Sequence, residues 1–224
     1  MKVRYSHDRG ATELSWLKSK HSFSFGDYYD QNWTQFGQLR VINEDWIEPG
    51  TGFGMHPHKD MEIITIMLKG EIRHRDSMGN EESLRVGEVQ AMTAGSGLTH
   101  SEWNPSDEQA HLFQLWIEPQ ETGLIPGYEQ FRPEESDVKV LVSGNGSGLR
   151  INADVEVIQQ KLLTGGQWSS AKNSQSYLHL IKGQLEIDDH KLEPGDAIAF
   201  DREVKELKSL DDSEFILINM YKEN

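Results

Sequence analysis

The chain has no cysteine. That absence excludes disulfides, thiolate metal ligands and a cysteine nucleophile together, and leaves imidazole and carboxylate as the available metal donors. Long apolar runs are missing too. Nothing approaches the roughly 18 uninterrupted apolar residues of a membrane span, and the stretch Met1-Lys-Val-Arg-Tyr-Ser-His-Asp-Arg9 lacks the hydrophobic segment of a signal peptide. A cytoplasmic location is therefore expected. Positive charge is scarce: Lys and Arg number 22 against 37 Asp and Glu, for a net charge of −15. The deficit is even, with 11 basic against 18 acidic residues up to Gln120 and 11 against 19 after it. Nucleic-acid affinity rests on cations that neutralise phosphates, so this balance argues against direct DNA or RNA binding and against an anionic membrane surface. It favours solubility and leaves protein partners open.

Convincing helical periodicity is also absent, and what is present is β. Short apolar runs such as Leu39-Arg-Val-Ile42, Ile63-Ile-Thr-Ile-Met-Leu68, His111-Leu-Phe-Gln-Leu-Trp-Ile117 and Phe215-Ile-Leu-Ile-Asn-Met-Tyr221 are separated by Gly, Pro, Asn and Asp. Asp76-Ser-Met-Gly-Asn80 and Asp188-Asp189 are placed to reverse hairpins. A weak repeat emerges. Leu68-Lys-Gly70-Glu-Ile72, a turn, then Val86-Gly87-Glu-Val89 in the first half has the order of Ile181-Lys-Gly183-Gln-Leu185, a turn, then Pro194-Gly195-Asp-Ala197 in the second. A duplicated β-barrel produces such a pattern. The expected division is an N-terminal barrel over 1–120, a connection over 121–148 marked by Pro126, Pro133 and glycines, and a C-terminal barrel over 149–224.

Four candidate metal ligands come in two close pairs, His56 with His58 and His100 with Glu102. Residues two apart on a strand share a face, roughly 6 to 7 Å apart, so two such pairs on neighbouring strands can lean onto one ion. Three imidazole nitrogens and one carboxylate oxygen suit a divalent transition metal such as iron, manganese, nickel, copper, zinc or cobalt, whereas calcium and magnesium prefer nearly all oxygen. Four protein ligands on an ion that accepts five or six leave room for a substrate.

The spacing Gly50-x5-His56-x-His58-x3-Glu62, with a glycine at 70, resembles the first motif of the cupin superfamily. The second resembles Gly87-x5-Thr93-x-Gly95-x4-His100-x3-Asn104, with threonine where cupins carry proline and two extra residues before the histidine. Those departures resemble the pirin family, as do His21-Ser-Phe-Ser-Phe-Gly-Asp-Tyr-Tyr-Asp30, Phe53-Gly-Met-His-Pro-His-Lys-Asp-Met-Glu62 and Thr93-Ala-Gly-Ser-Gly-Leu-Thr-His-Ser-Glu102. The resemblance implies an all-β bicupin, two stacked β-barrels of jelly-roll type, with metal ligands at His56, His58, His100 and Glu102 in the first. It implies Fe(II) as the ion. The general cupin motif would instead make Glu62 the carboxylate ligand. We favour Glu102, two residues from His100, with Glu62 expected to orient an imidazole or a bound water.

In the second half, Gln167-Trp-Ser-Ser-Ala-Lys-Asn173 stands where a metal-binding barrel would place its His-x-His pair, so no second ion is expected. His74 and His111 are expected to be satisfied polar residues, His179 and His190 structural or exposed, and Phe23, Phe25, Tyr28 and Tyr29 core packing. By resemblance to bacterial pirins with quercetin 2,3-dioxygenase activity, the expected function is oxidative opening of a flavonol ring. The partners are then a small aromatic substrate and O2, with Glu102 as the catalytic acceptor of the substrate's hydroxyl proton. The other function implied is that of a metal- or redox-responsive regulatory protein, or a different small-molecule metal-cupin enzyme.

Overall fold

The computed structural model describes residues 1–170, 174–201 and 206–221, whose regular secondary structure is almost entirely strand. No helix among them is long and apolar enough to cross a membrane. The chain forms two compact units, one of residues 10–133 with 149–153 and the other of residues 1–9, 134–148 and 154–224.

The first unit is a sandwich of two antiparallel sheets. Its larger sheet runs, in spatial order, Gly127–Phe131, Val89–Thr93, Glu62–Lys69, Ala110–Ile117, Leu39–Ile47, Leu17–His21 and Gly10–Glu13. The smaller runs Gly52–His58, Leu98–Trp103, Glu71–Asp76 and Glu81–Arg85. Alternation sets which side chains meet between them. In Glu71–Asp76, Ile72, His74 and Asp76 are buried while Arg73 and Arg75 face water. One end of the interior is apolar, where Met67, Leu112 and Ile47 of the larger sheet pack on Ile72 and Leu84 of the smaller. Each such side chain contributes about 1.5–3 kcal/mol by leaving water.

The second unit repeats this order strand for strand. Ala197–Phe200, Ser174–Lys182, Ser213–Tyr221, Val155–Leu162 and Val138–Ser143 take the places of the five strands from Val89–Thr93 to Leu17–His21. Gln167–Trp168, Leu207–Ser209, Leu185–Ile187 and His190–Leu192 make the smaller sheet. The duplicated turns match as well: Gly70 and Gly183 both have positive φ, 76° and 85°. This unit's interior is filled by Leu178, Leu180, Leu185, Leu192, Phe200 and Phe215, with Trp168 packed against them. His179 is buried within its strand, and His190 is partly exposed at a hairpin. Residues 171–173 of the segment compared with a His-x-His pair lie outside the described residues.

Two features differ from the order along the chain. The stretch read as a connection contributes a strand to each unit, Gly127–Phe131 to the first and Val138–Ser143 to the second. Its prolines punctuate rather than prevent them: Pro126 and Pro133 lie just outside the first of these strands, where a missing N–H breaks no ladder. The N-terminal residues join the second unit because Lys2–Arg4 pairs with Ala197–Phe200.

Gly52 has a specific reason to be glycine, since a Cβ there would collide with the Glu102 carbonyl oxygen on the neighbouring strand. Gly54, two residues on, has open space around its Cβ position. Gly52→Ala is expected to lower stability by about 1–3 kcal/mol through overpacking, with Gly54→Ala much milder, as read by denaturant unfolding. Equal effects would mean that the close approach at Gly52 does not constrain the pairing.

Candidate metal centre

The centre is built where Leu98–Trp103 pairs with Gly52–His58. The register sets His100 directly opposite His56 and Leu98 opposite His58, with a bulge between His100 and Glu102. Alternation turns Leu98, His100 and Glu102 inward together. The three rings gather closely, with centroids 4.4 Å apart for His56 and His100, 4.8 Å for His56 and His58, and 4.9 Å for His58 and His100. Each offers a nitrogen, and those nitrogens all lie within 4.8 Å of one another.

The hydrogen bonds leave lone pairs free. His56 Nδ1 lies 2.7 Å from the Gly54 carbonyl, which can only accept, so Nδ1 carries the proton and Nε2 is available. His100 Nε2 is buried and has no hydrogen-bond partner among the described residues. Both remaining imidazoles are held neutral. Burial, then the neighbouring His100 and His56, lowers His58 to about 4, and burial, then His56 and His74, lowers His100 to about 3. Three imidazole nitrogens converging in a partly buried site fit a divalent transition metal.

Glu102 stands beside them. It is buried, and its carboxylate lies within 4.8 Å of nitrogens of His100 and His74. Its oxygens accept from three neutral side chains: Gln114 Nε2 at 2.7 Å on Oε2, and Gln90 Nε2 at 3.2 Å and Thr65 Oγ1 at 3.3 Å on Oε1. The Gln114 amide is itself oriented. Trp116 Nε1, which can only donate, gives its proton to Gln114 Oε1 at 3.0 Å, and the Tyr128 hydroxyl lies 2.7 Å from Gln130 Oε1 and 3.1 Å from Gln90 Oε1. Burial, followed by the charge of Glu102, pushes Tyr128 upward, so it remains a neutral phenol and a donor. With Gln114 Oε1 occupied by the indole N–H, the Gln114 NH2 group is turned to Glu102.

The remaining sequence candidates fall elsewhere. Glu62, expected to orient an imidazole or a water of the centre, is buried but accepts from Thr93 Oγ1 at 2.8 Å and Asn152 Nδ2 at 3.1 Å. Parity explains the difference. The chain turns at Asp60, whose φ is 49°, and passes from the smaller to the larger sheet, so Glu62 does not continue the face of His56 and His58. On its own strand it lies on the opposite face from Thr65, the residue that meets Glu102. His111 bonds Glu44 at 3.1 Å and stacks on Trp46, a satisfied polar residue as expected.

Sequence reading did not single out Thr65, Gln90 or Gln114. The signal was present, for each is a lone polar residue in an apolar run, and the register places Thr65 directly opposite both glutamines. A cavity of about 720 Å3 opens on the centre, lined by His56, His58, Glu102, Gln114 and Trp116, by the polar Thr12, Ser19, His21, Asn43 and Asp45, and by Phe25, Tyr28 and Phe53. Of the aromatic cluster read as core, Phe23 is buried, Phe25 and Tyr28 line this cavity, and Tyr29 is exposed.

Folded-state values near 4 and 3 lie below the ordinary 6.5 of histidine. Between these limits the unfolded chain binds protons that the folded chain does not, so stability is fully present above about pH 6.5 and is lost as pH falls through that window. Thermal unfolding of the metal-free protein should show a midpoint falling from pH 7 to 4.5, with a shallower fall in His58→Asn. Parallel profiles for the two would contradict the assignment.

Residues 2–117 match the family model described as Pirin, and residues 140–220 the one described as quercetinase C-terminal cupin domain. Over 225 residues, covering 97% of each chain, the sequence is 41% identical to an Escherichia coli (strain K12) protein named quercetin 2,3-dioxygenase. The crystal structure of YhhW from Escherichia coli superposes with a TM-score of 0.93 at 39% identity, covering 100% of this chain and 98% of that one. The structure of bacterial pirin YhhW in complex with nickel(II), also from Escherichia coli, gives a TM-score of 0.93 at 39% identity with 99% of each chain covered. Two cupin units, the histidine cluster in the first, and these likenesses over the whole length agree: the chain belongs to the pirin family.

Proposed function

We propose that this protein is a metal-dependent dioxygenase that opens the ring of a flavonol such as quercetin. One divalent ion would be held by His56, His58, His100 and Glu102. The observation that carries the proposal is the convergence of three imidazoles beside a buried carboxylate at the mouth of a cavity large enough for a fused-ring aromatic molecule. The activity named for the 41% identical relative and the nickel(II) bound by the YhhW structure support it. Iron, implied by the pirin resemblance, and nickel both suit nitrogen and oxygen donors.

When bound, the ion supplies a Lewis acid that favours the anionic form of a substrate hydroxyl and a place for dioxygen to meet the substrate. The rest is the work of side chains. Glu102 accepts the proton of the flavonol 3-hydroxyl; its partners Thr65, Gln90 and Gln114 are all neutral, so no salt bridge competes for its charge. Trp116, which meets His58 edge to face at 4.8 Å, and Phe25, which meets Trp116 at 5.4 Å, form an apolar wall for flat rings. Ser19, His21, Asn43 and Asp45 offer polar groups to ring hydroxyls. Overall, flavonol and O2 become an ester and carbon monoxide.

The test is oxygen uptake by metal-loaded protein given quercetin, with carbon monoxide measured alongside. Wild type should consume one O2 per quercetin, and His58→Ala should lose at least about 100-fold in rate. No substrate-dependent uptake by metal-loaded wild type would reject the assignment.

A further inference from the structure

Behind His100 lies a chain of buried polar groups that the proposed chemistry does not use. Leu98–Trp103 pairs on its other side with Glu71–Asp76, and the register sets Asp76 opposite His100 and His74 opposite Glu102. His74 and Asp76 share the inward face, and His74 is fully buried. Its ring stacks on Tyr128 with centroids 4.3 Å apart and planes 22° apart, which fixes its orientation. Its Nε2 lies 3.2 Å from Asp76 Oδ2, and its Nδ1 lies 3.5 Å from His100 Nδ1.

The direction of these contacts follows from the acid end. Asp76 is committed as an acceptor: Oδ1 takes the backbone N–H groups of Met78 and Asn80 at 2.9 and 3.1 Å, and Oδ2 takes Asn80 Nδ2 at 2.8 Å. An ionised carboxylate only accepts, so the proton between Asp76 and His74 sits on His74 Nε2. A neutral His74 then has its lone pair on Nδ1, facing His100. The proton on His100 is thereby drawn to Nδ1, and its Nε2, which has no hydrogen-bond partner among the described residues, keeps its lone pair for the centre.

We propose that His74, anchored by Asp76, is a positioning residue that selects the tautomer and ring angle of His100, presenting the His100 Nε2 lone pair to the metal ion. This rests on the reading of His100 as a ligand. It parallels the backbone device at His56, where the Gly54 carbonyl holds the Nδ1 proton, but uses two side chains on a different strand. Outer hydrogen-bond partners of ligating histidines commonly change metal affinity 10- to 100-fold.

The experiment titrates nickel(II) into metal-free wild type, His74→Phe and His74→Asn, with calorimetry for affinity and elemental analysis for stoichiometry. Phenylalanine keeps the stacked ring without an acceptor; asparagine restores an acceptor oxygen near the Nδ1 position. Wild type should bind one ion, His74→Phe one ion about 10- to 100-fold more weakly, and His74→Asn should recover most of the loss. Equal affinity in wild type and His74→Phe would overturn the inference while leaving the centre intact. Two ions in wild type, one of them lost in His74→Phe, would make His74 a ligand and overturn it too. No ion in wild type would instead bring down the centre itself. Should His74→Phe fail to fold, long-range nitrogen–proton NMR on zinc-loaded wild type decides: a proton on His100 Nδ1 supports the inference, and one on Nε2 overturns it.

Discussion

The whole site depends on one strand pairing. Gly52–His58 lies against Leu98–Trp103 in a register that sets His56 opposite His100, with a bulge between His100 and Glu102. That register survives only because Gly52 has no Cβ to strike the Glu102 carbonyl. Because side chains repeat every two residues along a strand, a slip by one would turn His100 and Glu102 out of the interior and bring Thr99 and Ser101 in. The histidine cluster is thus a property of the sheet.

Around that pairing the sandwich divides its interior. One end is filled with aliphatic side chains that hold the sheets together. The other carries a connected polar set: Trp116 donates to Gln114 and Gln114 to Glu102, while Gln90 bonds Glu102 and meets the Tyr128 hydroxyl that Gln130 shares. Buried polar groups of this kind are costly unless satisfied, and satisfied networks hold one geometry. The second unit has the same strand order with an interior of leucines and phenylalanines. The comparison separates what the scaffold requires from what the chemistry requires.

Much of this was legible in the sequence, and what was not has identifiable causes. The gathering of His56, His58 and His100 could be anticipated because close spacing along a strand is local information. The repeat could be found because glycines at 70 and 183 are needed where the chain turns with positive φ. Glu62 bonds Thr93 and Asn152 instead of a histidine of the centre, because the chain turns at Asp60 and changes sheets before reaching it. Thr65, Gln90 and Gln114 come from three strands, and their meeting depends on a register that no local pattern encodes. The same holds for His74, ordinary in its own run and placed opposite Glu102 only by pairing. The N-terminal strand joins the second unit through residues nearly 200 positions away.

The central claim is that four particular side chains converge on one cation with space beside it. A crystal structure of the protein loaded with iron(II) or nickel(II), measured at the metal's absorption edge, tests it most directly. The account expects a single anomalous peak bound by nitrogens of His56, His58 and His100 and an oxygen of Glu102, at about 2.0–2.2 Å, with at least one further position open to the cavity. A peak elsewhere, or one whose ligands include Glu62 or His74 in place of Glu102, would contradict it.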